Sequence, residues 1–489
     1  MRPITRRNAL ILGGVGAVGI GIGGTGLWLA RDTSSPIPSQ TDVGLELTEP
    51  PELRSSNGAL SVALEAAAGP VTIAGSTVTA LSYNGGLPGP TLRIHAGDTL
   101  SVNLRNDLTD PSNLHTHGLH VSPKDNSDNA FVTIPAGSSF GYRYELPANH
   151  PPGVYWYHPH HHGSVTDQVF GGLYGAIIVE DPVPIPTARE RVLVISDITV
   201  SSAGTIPAAT RMERMSGREG ELVLVNGQLR PALSSRPGER ERWRVVNACV
   251  SRYLRLRLDG QQLTLLGIDS GRFASPRSVD EIVLAPGNRA DLLVTAIAGT
   301  SELESLPYNR GTSGGMMGGM RGGGSAKTAT IPLATVTVTG DAVADAAAVP
   351  QQALPRDLRG VTVTAKRELV FSMGMGGMGG GMMSPTINGR TFDPNRVDET
   401  VEFGSVEEWL LTNTSTLDHP VHLHVWPMQI VERGGQALPD VLWQDVVNVP
   451  AQSTTRVRIA FDDFRGRTVY HCHILDHEDA GMMGVVEAP

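Results

Sequence analysis

Histidine is the residue to follow in this 489-residue chain. Most of the fifteen histidines fall into four clusters: His115/His117/His120, His158/His160/His161/His162, His419/His422/His424, and His471-Cys472-His473 followed by His477. Neutral imidazole and thiolate are ligands for transition metals, and a single His-x-His pair would be an ordinary surface or core feature. Four clusters with matching spacing are not. On a strand, residues two apart share a face and neighbours oppose. His471 and His473 therefore look one way and Cys472 the other, while His422 and His424 oppose His419. His115 pairs with His117 and His158 with His160. This parity predicts two metal sites sharing one strand. The first gathers eight imidazoles: His115, His117, His158, His160, His422, His424, His471 and His473. The second gathers Cys472, His419 and His477, with Met482 placed to cap it. Two histidines, a thiolate and a weak methionine form the blue-copper electron-transfer arrangement. Eight imidazoles exceed the needs of one ion and suit three coppers sharing an oxygen ligand. A zinc reading fails, because structural zinc takes four ligands and leaves the rest without a role.

The elements that must carry these clusters repeat along the chain. Tyr83-Asn84-Gly85-Gly86, Val225-Asn226-Gly227-Gln228 and Ile387-Asn388-Gly389-Arg390 each offer an Asn-Gly turn. A glycine (Gly97, Gly238, Gly404) follows, then an alternating strand that ends in asparagine: Leu100 to Asn106, Arg242 to Asn247, Glu408 to Asn413. The spacing, from 84 to 226 to 388, is too long for a solenoid and right for repeated β-sandwiches. His115 and His419 both lie 31 residues past their Asn-Gly asparagine. The middle copy has Ser251-Arg252-Tyr253-Leu254 in that region and no histidine, so it reads as a spacer. Proline-punctuated segments at Glu180 to Pro186 and Ala342 to Pro355 separate the copies. The expectation is an all-β chain of three consecutive Greek-key β-sandwich domains over 45–186, 187–345 and 346–489, behind a leader and linker at 1–44.

Composition agrees. Glycine (57) and proline (34) with 5% aromatics favour short strands, and a net charge of −10 without a basic face argues against nucleic acid. Cys249 and Cys472 are too few for a disulfide scaffold, and Cys249 reads as a small buried apolar residue. Thr5-Arg6-Arg7-Asn8 precedes a glycine-diluted apolar run from Ala9 to Ala30. That layout resembles a twin-arginine export signal, so the chain is expected outside the cytoplasmic membrane: periplasmic, cell-surface or secreted. The run is long enough to span a bilayer, but its glycines make it a poor anchor.

The four clusters together resemble the multicopper oxidases, the laccase-like family of three cupredoxin domains. The resemblance runs over about residues 60 to 489 and rests on His115-Thr-His117-Gly, Trp156-Tyr-His158-Pro-His160, His419-Pro-Val-His422-Leu-His424, and His471-Cys472-His473 through Met482. It implies four copper ions. His419, Cys472, His477 and Met482 would hold type 1, His115 and His422 type 2, and the other six paired histidines the type-3 pair. It also implies oxidation of a reductant at type 1 coupled to four-electron reduction of O2 to water. Family pattern and strand parity select His160 over His161 and His162; His161 should face away, and His162 shares the ligand parity. His95, His120 and His150 read as ordinary surface or hydrogen-bonded histidines. Glu478 and Asp128 resemble acids that the family uses to supply protons, against the plainer reading of solvated loop carboxylates.

Two stretches suggest the reductant. Gly311 to Gly324 holds Met316, Met317 and Met320, and Met373 to Met383 holds Met373, Met375, Met378, Met382 and Met383. Thioether sulfur prefers Cu(I), so these stretches point to cuprous ion as substrate and to copper tolerance. The competing readings are a flexible low-complexity insert, a general laccase acting on phenols and aromatic amines, and a non-catalytic copper-sequestering protein. Met212 and Met215, three apart, read as one face of a short helix.

Overall fold

The computed structural model describes residues 44–311, 329–375 and 383–489. The expected export leader therefore lies outside the described residues, as do Met316, Met317, Met320, Met378 and Met382. The described residues form six β-sheets and three short helices, none longer than seven residues. No described helix is long and apolar enough to cross a membrane.

The sheets pair into three successive sandwiches, with strands over 52–179, 189–338 and 365–488. The pairing follows from alternation. The strand Ala59–Ile73 alternates exposed and buried positions along most of its length, and Leu60, Val62 and Leu64 meet Ile177 and Val179 of the opposite sheet. A second apolar cluster fills the middle sandwich around Trp243, and a third fills the last around Trp409 and Trp426.

The sequence repeat is a structural repeat. In each sandwich the first long strand runs parallel to the strand ending in asparagine: Ala59–Ile73 with Thr99–Asp107, Arg189–Ile198 with Arg240–Asn247, and Ala365–Met375 with Ser405–Asn413. Asn84, Asn226 and Asn388 all take left-handed backbone (φ 53°, 51° and 51°) ahead of a glycine of positive φ. Asparagine tolerates that conformation because its side chain hydrogen-bonds locally. Here each Oδ1 accepts an N–H of the first long strand, from Glu65, Val194 and Val370 respectively. The strand-ending asparagines are also equivalent. Asn106, Asn247 and Asn413 each donate Nδ2 to backbone carbonyls of the chain beyond, two each for Asn106 and Asn247 and three for Asn413, and accept the N–H two residues on. This bracket fixes where the chain goes after the strand, and in the outer sandwiches it goes into the histidines.

A fourth apolar cluster joins the sandwiches: Val154, Trp156 and Ile178 of the first pack with Val192, Val194 and Val246 of the middle one and with Leu475 of the third. Burial of this seam is what allows side chains from separate sandwiches to share a pocket.

Candidate metal centres

Cross-strand register assembles the histidines. His115 stands opposite His158, and His422 opposite His471. The strand Gly466–Cys472 ends at Cys472, so parity separates His471 from Cys472 as expected. Three further placements have a different cause. His160, His424 and His473 lie just beyond their strands, two of them in bends, so the path of the chain past the strand end, not strand alternation, carries them to the pocket. His161 is half-buried, and His162 is exposed against the Phe392 ring 4.8 Å away, so it takes no part.

The eight imidazoles converge at the seam between first and third sandwiches, all buried. Three sets bring one donor atom each within 4.8 Å of one another: His115/His117/His422, His117/His158/His473 and His160/His424/His471. The outward nitrogens decide what faces inward. An oxygen that can only accept requires a protonated ring nitrogen opposite it. His422 Nδ1 meets the Asp445 carbonyl at 2.8 Å, His158 Nδ1 the Pro159 carbonyl at 2.8 Å, and His471 Nδ1 the Cys472 carbonyl at 3.1 Å. His115 Nδ1 donates to Asp128 at 2.9 Å, and His117 Nε2 donates to Asp445 Oδ1 at 3.1 Å. The inward nitrogens of all five are therefore lone pairs. They face each other: His115 Nε2 lies 3.3 Å from His422 Nε2, and His117 Nδ1 lies 3.4 Å from His158 Nε2. Two facing lone pairs repel unless a cation lies between them.

The Nε2 atoms of His160, His424 and His471 form a triangle with edges of 3.1, 3.2 and 3.3 Å. His473 has neither ring nitrogen hydrogen-bonded although it is fully buried. Burial holds all eight well below the usual imidazole range, keeping them neutral, which is the ligating form. Imidazoles in this number and tautomer fit copper.

The second set is His419, Cys472 and His477. His419 Nδ1 lies 3.3 Å and His477 Nδ1 3.8 Å from Cys472 Sγ. Their far nitrogens are anchored: His419 Nε2 is hydrogen-bonded with Ser415 Oγ at 2.8 Å, and His477 Nε2 donates to the Met215 carbonyl at 3.2 Å. The inner nitrogen of His477 is therefore again a lone pair. Burial pushes the Cys472 thiol up, so a thiolate here needs a cation beside it. Met482 is fully buried in the same apolar cluster as Cys472; its carbonyl accepts from Cys472 N–H and its N–H donates to the His477 carbonyl. Met212 and Met215 lie on the helix Arg211–Ser216, with the Met212 side chain exposed. Cys249 is buried, in no disulfide and a member of neither set.

The helix Leu475–Asp479 carries His477 and Glu478 and is held from two sides. Asp479 accepts the N–H groups of Gly163, Val165 and Thr166, capping a helix of the first sandwich, and Asp476 accepts Arg218 N–H of the middle one. Glu478 is fully buried with neither oxygen hydrogen-bonded, 3.2 Å from His471 Nδ1 and 3.5 Å from His160 Nε2. Burial raises its carboxyl well above the usual range. Asp128 is buried too, holding His115 and accepting from Thr116 N–H and Oγ1. Neither acid is a solvated loop carboxylate.

Sequence reasoning missed Asp445, Arg289 and Gly287. Asp445 touches a histidine of each outer sandwich, Arg289 of the middle sandwich pairs with it, and a side chain at Gly287 would stand 2.8 Å from His473 Nε2. The middle sandwich is a wall of the pocket, not a spacer. A lone aspartate after Trp443-Gln444 and an arginine after a Pro-Gly-Asn turn carry no spacing signal of their own.

Two anchor points lie beside His419. Gly311, where the first methionine-rich stretch begins, bridges to Leu417, and the Phe371 ring, on the strand leading into the second, lies 6.4 Å from the His419 ring.

Comparison with known proteins agrees with this geometry. Three family models described as multicopper oxidase match residues 65–184, 190–302 and 362–489. A solved multicopper oxidase from Campylobacter jejuni, titled a metallo-oxidase, is 30% identical with a TM-score of 0.80, covering 92% of this chain and 96% of its own. A multicopper oxidase of Staphylococcus haemolyticus is 27% identical over 83% of each chain. Copper resistance protein A of Pseudomonas syringae pv. tomato is 30% identical over 64% of this chain and 56% of its own.

Proposed function

The chain belongs to the multicopper oxidase family, and on that premise we propose that it oxidises cuprous ion at the thiolate site and reduces O2 to water at the eight-imidazole pocket. It is an oxidoreductase whose cofactor is copper. The finer reading is one type-1 ion at His419, Cys472, His477 and Met482, one type-2 ion at His115 and His422, and a type-3 pair at His117, His158, His473 and His160, His424, His471. When bound, copper supplies one-electron acceptance at the thiolate site and four-electron delivery to O2 at the trio.

The observation that carries this reading is Cys472 itself, which belongs to one donor set while its neighbours His471 and His473 belong to the other. That covalent link gives electrons a two-residue path. The chain's own residues supply the rest. Buried backbone carbonyls and carboxylates hold five of the imidazoles, His115, His117, His158, His422 and His471, in the ligating tautomer. Glu478, against His471 and His160, would hold and pass a proton toward the pocket, and Asp128 would offset cationic charge and orient His115.

The methionine-rich stretches favour cuprous ion over phenols, since thioether sulfur prefers Cu(I) and the first stretch begins at Gly311, bridged to Leu417 near His419. Similarity to copper resistance protein A supports a role in copper tolerance. With it go export by the twin-arginine route and the domain division 45–186, 187–345 and 346–489. Oxygen uptake with Cu(I), set against a phenolic donor with and without added copper, tests the substrate. Removal of 312–324 and 376–382 should slow cuprous oxidation and spare phenol oxidation; undiminished cuprous oxidation would assign the chain to general laccases.

A further inference from the structure

The guanidinium of Arg289 touches all three sandwiches. Nε donates to the Val154 carbonyl of the first at 3.0 Å, and Nη1 to the Gly287 carbonyl of its own at 3.2 Å. The fork closes on Asp445 of the third, Nη1 to Oδ1 at 2.5 Å and Nη2 to Oδ2 at 2.7 Å. Arg289 and Asp445 are both buried. Asp445 in turn accepts from His117 Nε2 through Oδ1 and from His422 Nδ1 through its carbonyl. Asn288 and the Arg289 N–H hold Asp269 behind the pair, 3.4 Å from Nη1.

The surroundings are shaped to this pair. Gly118, next to His117, has φ +84°, and a side chain there would stand 2.2 Å from Arg289 Nη2 and 2.9 Å from Asp445 Oδ2. Gly287, also at φ +84°, leaves no room for a side chain against His473. A bare backbone on both sides lets the loop of the middle sandwich close over the imidazoles.

We propose that Arg289 is a positioning residue of the eight-imidazole pocket: by clamping the Asp445 carboxylate it fixes the tautomer of His117, so that copper is retained in the pocket only when all three sandwiches are docked. This rests on the copper reading above. The reasoning is electrostatic. An unclamped Asp445 carboxylate, buried between two sandwiches, would turn toward other donors, and His117 Nε2–H then loses its acceptor. His117 could then swap its proton to Nδ1 and withdraw its lone pair from the set it shares with His158 and His473. Lysine cannot replace the fork, because one ammonium cannot hold both carboxylate oxygens in plane.

The test uses the full-length protein loaded with copper, comparing Arg289→Lys and Asp445→Asn with the unaltered chain under EDTA. Expected are a retained blue absorption from the thiolate site, unchanged far-UV circular dichroism, and loss of the remaining copper about 10- to 100-fold faster. Copper of the paired site should also become visible by electron paramagnetic resonance. If Arg289→Lys fails to fold, Asp445→Asn decides, since it is nearly isosteric. Wild-type copper retention and an unchanged resonance spectrum in a folded variant would overturn the proposal. An unaltered chain that binds copper only at the thiolate would instead overturn the copper reading of the imidazole pocket.

Discussion

His471 and Cys472 are neighbours on one strand, and the pockets they face are built differently. The imidazole pocket draws ring donors from two sandwiches and its walls from three, and carboxylates of Asp128 and Asp445 hold two of its rings. The thiolate pocket takes its donors from one sandwich, and its rings are anchored by a hydroxyl and a carbonyl, with no carboxylate on either. A site for several divalent ions needs anionic compensation and a proton source. A site that passes one electron needs rigid donors and few charges that must rearrange. Domain docking is therefore a condition of the first pocket, and the second is nearly complete within the last sandwich.

The sharpest break of the comparison is Cys472→Ser. It should abolish the blue absorption and reduce oxygen uptake with any reductant to background, while copper in the imidazole pocket stays, as measured by metal analysis. Next is Glu478→Gln, expected to lower turnover about a hundredfold under saturating reductant while leaving the blue absorption intact. Unchanged turnover would remove this acid from the mechanism. Asp128→Asn, which leaves His115 Nδ1–H a weaker acceptor, should loosen copper in the imidazole pocket about tenfold in a chelator titration and leave the thiolate copper in place.

Acidity should act on the copper-free protein. Burial lowers His158 to about 4 and His477 to about 3. The unfolded chain gains protons below about pH 6.5 that the folded chain refuses, so stability is full above that pH and falls as pH drops toward these lowered values. Each of the two should remove roughly 2 kcal/mol between about pH 6.5 and pH 5. Asp269 and Asp476, raised to about 7 and about 6, act in the opposite direction but are outnumbered by the buried imidazoles. A thermal melt of the copper-free chain should thus fall steeply with acid, and added copper should raise it further at neutral pH, where the imidazoles are free to ligate. The smallest effect is expected from Met482→Leu: the blue colour stays and the potential of the thiolate copper rises, read by redox titration.

The repeat was legible because it is written in turn chemistry. Asn84, Asn226 and Asn388 do the same work in three places, and the strand-ending asparagines likewise, so the three sandwiches could be read from spacing. The histidine grouping was legible where strand parity governs, at His115/His117, His419/His422 and His471/Cys472. Parity gave the right partners for His160, His424 and His473 for a reason that does not hold, since their strands have ended. His162 shared the ligand parity and stands exposed beside Phe392, because a turn follows His160. Asp445, Arg289 and Gly287 were invisible, being single residues whose partners are hundreds of positions away.

The sequence by itself determined the inventory of donor side chains and the scaffold: eight imidazoles and one thiol set, on three copies of one β module. Those are properties of residue type and local period, which short-range physics imposes wherever the chain folds. Only the tertiary structure decided which nitrogen of each ring looks inward, and that the middle copy closes the pocket. Tautomers depend on acceptors that packing brings from other sandwiches, and no local pattern encodes a hydrogen bond formed only when three separate cores dock.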